Sequence, residues 1–100
     1  MSQSVGTMSD MTKLTKDVFV LHPLGLHARS ATLIAGLLQR GKSRATLQCN
    51  GKVADARSVV QLLMLGARKD AKVEITVEGE DAEDVMDRLV RAFDRGLQVS

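Results

Sequence analysis

The chain has 100 residues and a hydrophobic content of 44%, which suits one domain with a single core. Its 14 basic and 12 acidic residues give a formal net charge of +2, and it has no Trp, no Tyr and two Phe, so the basic patch and stacking aromatics of a nucleic-acid surface are both missing. The single cysteine cannot form an internal disulfide. No apolar run approaches the roughly 20 residues that span a bilayer, so we expect no membrane insertion. No signal-peptide pattern precedes the domain, so we expect a cytoplasmic protein.

The beginning of the chain predicts an extension followed by a first strand. The run M-S-Q-S-V-G-T-M-S-D-M-T has no sustained periodicity and many small polar residues, so we expect residues 1–14 to be a flexible extension and residues 15–100 to form the domain. The stretch from Asp17 to Leu21 is β-branched and aromatic, which predicts a strand, and H-P-L-G predicts a turn after it. We assign no function to His22, which lies in this turn.

A helix is predicted directly after the turn, beginning near Ala28. Its apolar residues follow the i, i+3, i+4, i+7 spacing of an amphipathic helix and are Ala31, Ile34, Ala35 and Leu38. Gly41 is the expected C-terminal stop. With this start, His27 becomes the N-cap, where several backbone N–H groups have no intrahelical partner and the helix dipole favours negative charge.

Two short strands and a second helix are predicted in the middle of the chain. R-A-T-L-Q-C and K-V-A-D flank Asn50-Gly51, a pair that is typical of a type I′ hairpin because both residues tolerate a positive φ. The segment S-V-V-Q-L-L-M-L-G, from Ser58 to Gly66, starts with a capping residue and ends in glycine, as a short helix does.

A last strand and a last helix complete the predicted order β-α-β-β-α-β-α. In V-E-I-T-V-E, from Val73 to Glu78, apolar and polar residues alternate, which predicts a strand with one buried face. The helix predicted from Asp81 carries acidic residues early and arginines late, in agreement with the helix dipole. Since a small sheet must bury one face, these elements predict a two-layer sandwich in which helices cover the sheet.

The run G-L-H-A-R-S-A-T contains the residues with the clearest chemical potential, His27 and Arg29. Imidazole is a nucleophile that keeps a neutral fraction at cellular pH, and guanidinium binds phosphate oxygens in a bidentate manner. A phosphoryl group on His27 would therefore meet a helix N-terminus and a fixed cation. The same residues also allow a plainer interpretation, in which His27 only caps the helix and Arg29 is a solvated side chain.

From Val18 to Phe93 the chain resembles HPr, the histidine-containing phosphocarrier family of the bacterial phosphoenolpyruvate-dependent phosphotransferase system. G-L-H-A-R-S-A resembles the active-site motif of that family, and N-G-K-V-A-D-A-R-S-V-V-Q-L-L-M-L-G-A resembles its second signature, around a regulatory serine. E-G-E-D-A-E-D resembles the approach to the last helix. The resemblance implies an α+β fold, an open-faced β-sandwich whose four-stranded antiparallel sheet is covered on one face by three helices.

The resemblance also implies roles for particular residues. His27 would accept a phosphoryl group through Nδ1 and Arg29 would pair with the phosphoryl oxygens, as in a carrier rather than a turnover enzyme. The group would come from phosphorylated Enzyme I and pass to an enzyme IIA component. Ser58 matches the serine that an HPr kinase/phosphorylase modifies in some members, although it also suits an ordinary helix cap. The expected partner-docking residues are Val59, Val60 and Leu63.

Two positions depart from the family pattern. Ser30 replaces the usual proline after the arginine and is either a phosphate contact or a residue that suits a helix start; Leu24 replaces a frequent asparagine or serine before the glycine. These departures keep an alternative function open, a regulatory module of the same fold that acts through Ser58 and its apolar helix with weak or absent transfer. We expect a monomer without cofactor or metal, because no ligand cluster is visible in the sequence.

Overall fold

The computed structural model of the protein describes residues 12–97, and its elements follow the predicted order. Each predicted helix and strand is present, although the bounds of some differ from those expected. The elements are β1 (Thr12–Phe19), α1 (Ala28–Arg40), β2 (Arg44–Cys49), β3 (Lys52–Asp55), α2 (Val59–Met64), β4 (Lys72–Gly79) and α3 (Ala82–Asp94).

The four strands form one antiparallel sheet in the order β1-β4-β2-β3. The alternation predicted for β4 holds, since Val73, Ile75 and Val77 are fully buried, while the residues between them are exposed or partly exposed. The buried face is covered by the helices and the other face is open to solvent, so the α+β open-faced sandwich is confirmed. Asn50 and Gly51, with φ angles of 53° and 80°, make the predicted type I′ hairpin between β2 and β3.

Strand β1 is longer at its beginning than its composition predicts. Instead of Asp17–Leu21, it covers Thr12–Phe19 and pairs along its full length with β4. The prediction was wrong because β1 is an edge strand whose exposed residues are mostly polar, so that pairing with β4 rather than hydrophobicity fixes its extent. Residues 12–14, which we expected in the extension, therefore belong to the strand, and residues 1–11 lie outside the described residues.

The core lies between the sheet and the apolar stripes of α1 and α3. All members of the stripe predicted for α1 are buried. Helix α3 contributes a second stripe, in which Phe93 is the largest fully buried side chain and Met86 and Leu89 lie beside it. Among the helices of residues 12–97, none is long and apolar enough to cross a membrane.

Asp81 ties the beginning of α3 to the segment before β2. Its carboxylate accepts hydrogen bonds from the backbone N–H of Lys42, at 2.9 Å, and from the hydroxyl of Ser43, which is buried. These bonds, above all the one from Ser43, lower the pKa of Asp81 below its ordinary value of 3.8. Gly79 makes the approach possible, since an added Cβ would lie 2.6 Å from the Cα of Ser43.

The lowered pKa of Asp81 predicts a pH-dependent contribution to stability. Because the folded protein binds this proton more weakly than the unfolded chain, the contribution is complete above about pH 4, near the ordinary pKa, and is lost as pH falls through the lower folded value. Asp81→Asn should therefore lower the free energy of unfolding at neutral pH, and the deficit should shrink on acidification. Urea denaturation at a series of pH values measures this.

The matched control is Glu80→Gln, which removes the neighbouring exposed carboxylate and its ion pair with Lys42. Surface pairs of this kind contribute little, so this variant should unfold nearly as wild type does. A deficit for Asp81→Asn that stays constant down to strongly acidic pH would contradict the prediction.

Candidate functional site

The loop between β1 and α1 is fixed at both ends to the segment before β4. After β1, the N–H of Val20 donates to the carbonyl of Ala71 at 3.0 Å, and the N–H of Asp70 donates to the carbonyl of Val20 at 2.7 Å. At the other end, the N–H of Leu26 donates to the carbonyl of Ala67 at 2.9 Å. The start of α1 is therefore positioned by backbone hydrogen bonds to a second part of the chain.

Gly25 allows this loop to lie against its neighbour. Its φ of +71° is in the left-handed region that favours glycine, and an added Cβ would meet the carbonyl oxygen of Ala67 at 2.5 Å and the Cα of Arg68 at 2.9 Å. Its N–H donates to the carbonyl of His22 at 2.9 Å, which closes a β-turn with Pro23 at the second position. Backbone packing therefore requires a glycine at position 25.

His27 is the N-cap of α1, as the sequence predicts. Its backbone is extended, with φ −127° and ψ −177°, and its carbonyl accepts the first helical hydrogen bond from the N–H of Ala31 at 2.8 Å. The side chain is half-buried. Within the described part of the chain, its Nε2 atom is fully covered and has no hydrogen-bond partner. The other ring nitrogen, Nδ1, is the one that faces the helix start, because the capping box places the His27 side chain against the backbone N–H of Ser30.

Ser30 supports the position of His27 through its hydroxyl. The side chain is fully buried, and its Oγ accepts a hydrogen bond from the N–H of His27 at 2.9 Å and donates one to the carbonyl of His27 at 3.0 Å. Both bonds are internal to the helix start. In this arrangement the hydroxyl serves as a cap, which is the role expected of a serine near an N-cap.

The helix start around His27 is electrostatically open to an anion. The first turn of α1 contains no acidic residue, so the N–H groups and the positive end of the dipole are not neutralised by the helix itself. Arg29 is exposed and, within residues 12–97, forms no ion pair. In the same range, no three His, Cys, Asp or Glu side chains are grouped as metal ligands would be.

Ser58 is the N-cap of α2. Its hydroxyl accepts a hydrogen bond from the N–H of Gln61 at 3.2 Å, and its own N–H donates to the carbonyl of Asp55 at 3.0 Å. The side chain is half-buried, so part of it remains at the surface. Helix α2 packs against α1 and β3, and the segment that follows it is the one hydrogen-bonded to the His27 loop.

Part of α2 presents apolar side chains to solvent. Val60 is 66% exposed and Leu63 is 39% exposed, whereas Val59 is half-buried and packs against the core. Two further apolar residues are even more exposed, Met64 at 68% and Leu24, in the His27 loop, at 74%. Leu24 was overlooked in the sequence because its replacement of a polar family residue suggests a lost contact rather than a gained apolar surface.

Comparisons with known proteins identify the family of this chain. A family model described as the PTS HPr component phosphorylation site matches residues 14–95. The chain belongs to the HPr family. The family match and the relatives that are named phosphocarrier proteins support a phosphocarrier role in the phosphotransferase system, as a carrier rather than a turnover enzyme.

Individual HPr-family relatives agree with this assignment. The phosphocarrier protein HPr of Chlamydia muridarum is 33% identical over 85 residues, which cover 85% of this chain and 82% of the relative. The phosphocarrier protein NPr of Shewanella violacea is 36% identical over 84 residues, or 84% of this chain and 92% of the relative. The crystal structure of an HPr from Bacillus anthracis superposes with a TM-score of 0.77 at 28% identity, covering 82% of this chain and 98% of that one.

The hydrogen bonds of Ser30 predict a measurable contribution to the stability of this HPr-family domain. Ser30→Ala leaves the N–H of His27 without its hydroxyl partner, and we expect the free energy of unfolding to fall by about 1 to 2 kcal/mol. Ser30→Pro should recover part of that loss, because the proline found in other members restricts the unfolded chain. Urea denaturation of both variants checks this.

Thr32→Ala serves as the control for Ser30→Ala. The Thr32 hydroxyl donates to the carbonyl of Ala28 at 2.8 Å, but the residue is exposed, so water replaces the lost bond at little cost. If Ser30→Ala has the same free energy of unfolding as Thr32→Ala, the Ser30 cap contributes no more stability than an exposed hydrogen bond.

Proposed function

We propose that this protein accepts a phosphoryl group on Nδ1 of His27 from phosphorylated Enzyme I, with phosphoenolpyruvate as the source, and passes it to an enzyme IIA component. In the first step the bond between phosphorus and the donor breaks as the bond between phosphorus and Nδ1 forms, and the donor keeps the electron pair. The second step is the same exchange with His27 as the donor. The observation that carries the proposal is the covered Nε2, which leaves Nδ1 for transfer.

The charges around His27 suit this chemistry. Phosphoryl transfer depends on positioning and on stabilising the charge of the transferred group more than on covalent participation of the protein. The unneutralised start of α1 and the guanidinium of Arg29 supply positive potential at the place where the phosphoryl oxygens would lie. Because Arg29 has no ion pair among the described residues, no intramolecular partner must be displaced before it can act.

The surface location of the site supports transfer in both directions. His27 is half-buried and Arg29 is exposed, so a partner protein can approach the reacting atoms and complete the charge stabilisation. A carrier must also release the group, and a deep site that enclosed every phosphoryl oxygen would hold the group too tightly. A shallow site with one cation and a helix start therefore fits a carrier better than it fits a hydrolytic enzyme.

The test is phosphorylation by Enzyme I and phosphoenolpyruvate, followed by intact mass and by the acid lability of the product. Wild type should gain one phosphoryl group, and His27→Ala should gain none. Arg29→Ala should react roughly ten- to a hundredfold more slowly, as expected for the loss of a charge-assisted bidentate contact of about 1.5 to 3 kcal/mol. Arg29→Lys should recover only part of the rate, because an ammonium lacks the planar fork.

Two results would contradict the proposal. One is a wild-type chain that stays unmodified with a competent Enzyme I, and the other is an undiminished product in His27→Ala. If the wild-type protein binds its partner but accepts no phosphoryl group, the result favours the alternative function, a regulatory module of the same fold acting through Ser58 and α2. If Arg29→Ala is phosphorylated at the wild-type rate, Arg29 is a solvated side chain that does not contribute to transfer.

We further propose that Enzyme I docks on the apolar surface next to His27. Val60 and Leu63 offer exposed apolar area, Val59 supports them from the core side, and Met64 of the same helix and Leu24 of the His27 loop are exposed as well. Burying such side chains against a partner is favourable, whereas burying an unpaired charge beside them is costly. A phosphate on Ser58, at the beginning of α2, would place a charge of about −2 beside this surface, and an HPr kinase/phosphorylase is the proposed source of that mark.

The mark at Ser58 is tested by substitution. Ser58→Asp should weaken binding to Enzyme I and slow the phosphorylation of His27, with helix content unchanged by circular dichroism. Ser58→Ala should transfer at nearly the wild-type rate but resist any ATP-dependent kinase. Because aspartate carries less charge than phosphate, a modest slowing still supports the proposal. If Ser58→Asp transfers at the wild-type rate, and kinase with ATP leaves Ser58 of the wild-type protein unmodified, then Ser58 serves only as a helix cap.

The cellular setting follows from the same chemistry. We propose a cytoplasmic monomer, since phosphoenolpyruvate, the source of the phosphoryl group, is a cytoplasmic metabolite and one copy of the chain carries both the proposed acceptor and the proposed docking surface. We propose that the carrier uses no metal or cofactor of its own, because the start of α1 and Arg29 supply the positive potential for the phosphoryl oxygens.

A further inference from the structure

A second histidine lies against the nucleophile proposed above. The ring centroids of His22 and His27 are 4.6 Å apart and the ring planes are inclined by 57°. At this separation the two rings are in van der Waals contact. His22 precedes His27 by five residues and lies in the turn before α1, so the contact is made across the loop and not along a helix face.

The His22 ring is held in place by its own turn. Its Nδ1 atom accepts a hydrogen bond from the N–H of Leu24 at 3.0 Å, and its carbonyl accepts one from the N–H of Gly25 at 2.9 Å. The first bond requires that Nδ1 carry no proton, so a neutral His22 has its proton on Nε2. Pro23 restricts the backbone between these two bonds. Both the orientation and the tautomer of His22 are thereby set before any partner arrives.

We propose that His22 is a positioning residue for phosphoryl transfer, whose ring holds the His27 ring in the orientation that covers Nε2 and turns Nδ1 toward the start of α1. The proposal rests on His27 being the phosphoryl acceptor. Among the described residues, the His27 ring has no hydrogen-bond partner at Nε2, and its remaining polar contact is the capping-box one with the backbone N–H of Ser30, so packing against the ring has to complete the restraint. The neighbouring ring of His22 provides that packing from a rigid turn.

The size of the effect follows from the rotamers that are excluded. A histidine side chain has three staggered χ1 wells and a broad, roughly twofold χ2, so an unrestrained ring distributes over about six orientations. Only one of them presents Nδ1 at the helix start. Loss of the His22 ring should therefore slow phosphorylation of His27 roughly three- to sixfold, through the rate at saturating partner rather than through the apparent affinity for Enzyme I.

Two variants separate the ring from the turn. His22→Asn keeps an acceptor for the N–H of Leu24 but has no ring, and His22→Phe keeps a flat ring but has no acceptor. For the reaction with phosphorylated Enzyme I, we expect kcat to fall in His22→Asn while the KM of Enzyme I for the carrier is unchanged. We expect His22→Phe to recover part of the rate. In the unphosphorylated full-length chain, NMR couplings should show one χ1 state of His27 in wild type and several in His22→Asn, with ring-to-ring nuclear Overhauser effects in wild type.

The outcomes are distinct. A wild-type kcat or an unchanged His27 χ1 distribution in His22→Asn would overturn the proposal, as would a His22→Phe rate no higher than that of His22→Asn. A wild-type chain that accepts no phosphoryl group would instead overturn the proposed function on which the role of His22 depends. The NMR measurement needs no phosphoryl donor, so the two failures cannot be confused.

Discussion

The close approach of the His27 loop to the segment before β4 is the constraint on which the site depends. Gly25 lies so near the carbonyl of Ala67 that no other residue fits without displacing backbone, and the neighbouring Leu26 donates a hydrogen bond to the same carbonyl. With the chain pinned there, α1 can begin only at the next residues, and His27 becomes its N-cap. The location of His27 is therefore a consequence of backbone packing, and the proposed phosphoryl transfer would use a position that the fold has already fixed.

The two long helices show why α1 rather than α3 suits an external anion. Helix α3 begins with Asp81 as its N-cap and has Glu83 and Asp84 in its first turn, so its dipole is balanced by its own side chains. The Asp81 carboxylate is in turn committed to the segment before β2. Helix α1 has no acid in its first turn and an exposed arginine instead. One helix start thus strengthens the fold, while the other leaves its positive potential available to a phosphoryl group.

Much of this arrangement is readable from the sequence because it depends on near neighbours. The Asn50-Gly51 hairpin and the apolar stripe of α1 each depend on residues a few positions apart. The extent of β1 depends instead on pairing with β4, far along the chain, and composition could not reveal it. The contact between His22 and His27 escaped prediction for a related reason: a lone histidine beside a proline carries no periodic signal, and its ring meets the second ring only after the turn has formed.

The replacement of the family's proline by Ser30 connects the helix cap to the nucleophile. A proline restricts its own φ and leaves the preceding residues to be held by other contacts. The Ser30 hydroxyl instead bonds to both the N–H and the carbonyl of His27, so displacement of His27 would break two hydrogen bonds inside a buried site. The Ser30 bonds restrain the backbone of the proposed acceptor, and the contact with the His22 ring is the proposed restraint on its side chain. Such restraint of one residue suits the proposed transfer to and from His27, because phosphoryl transfer depends on the positioning of the acceptor.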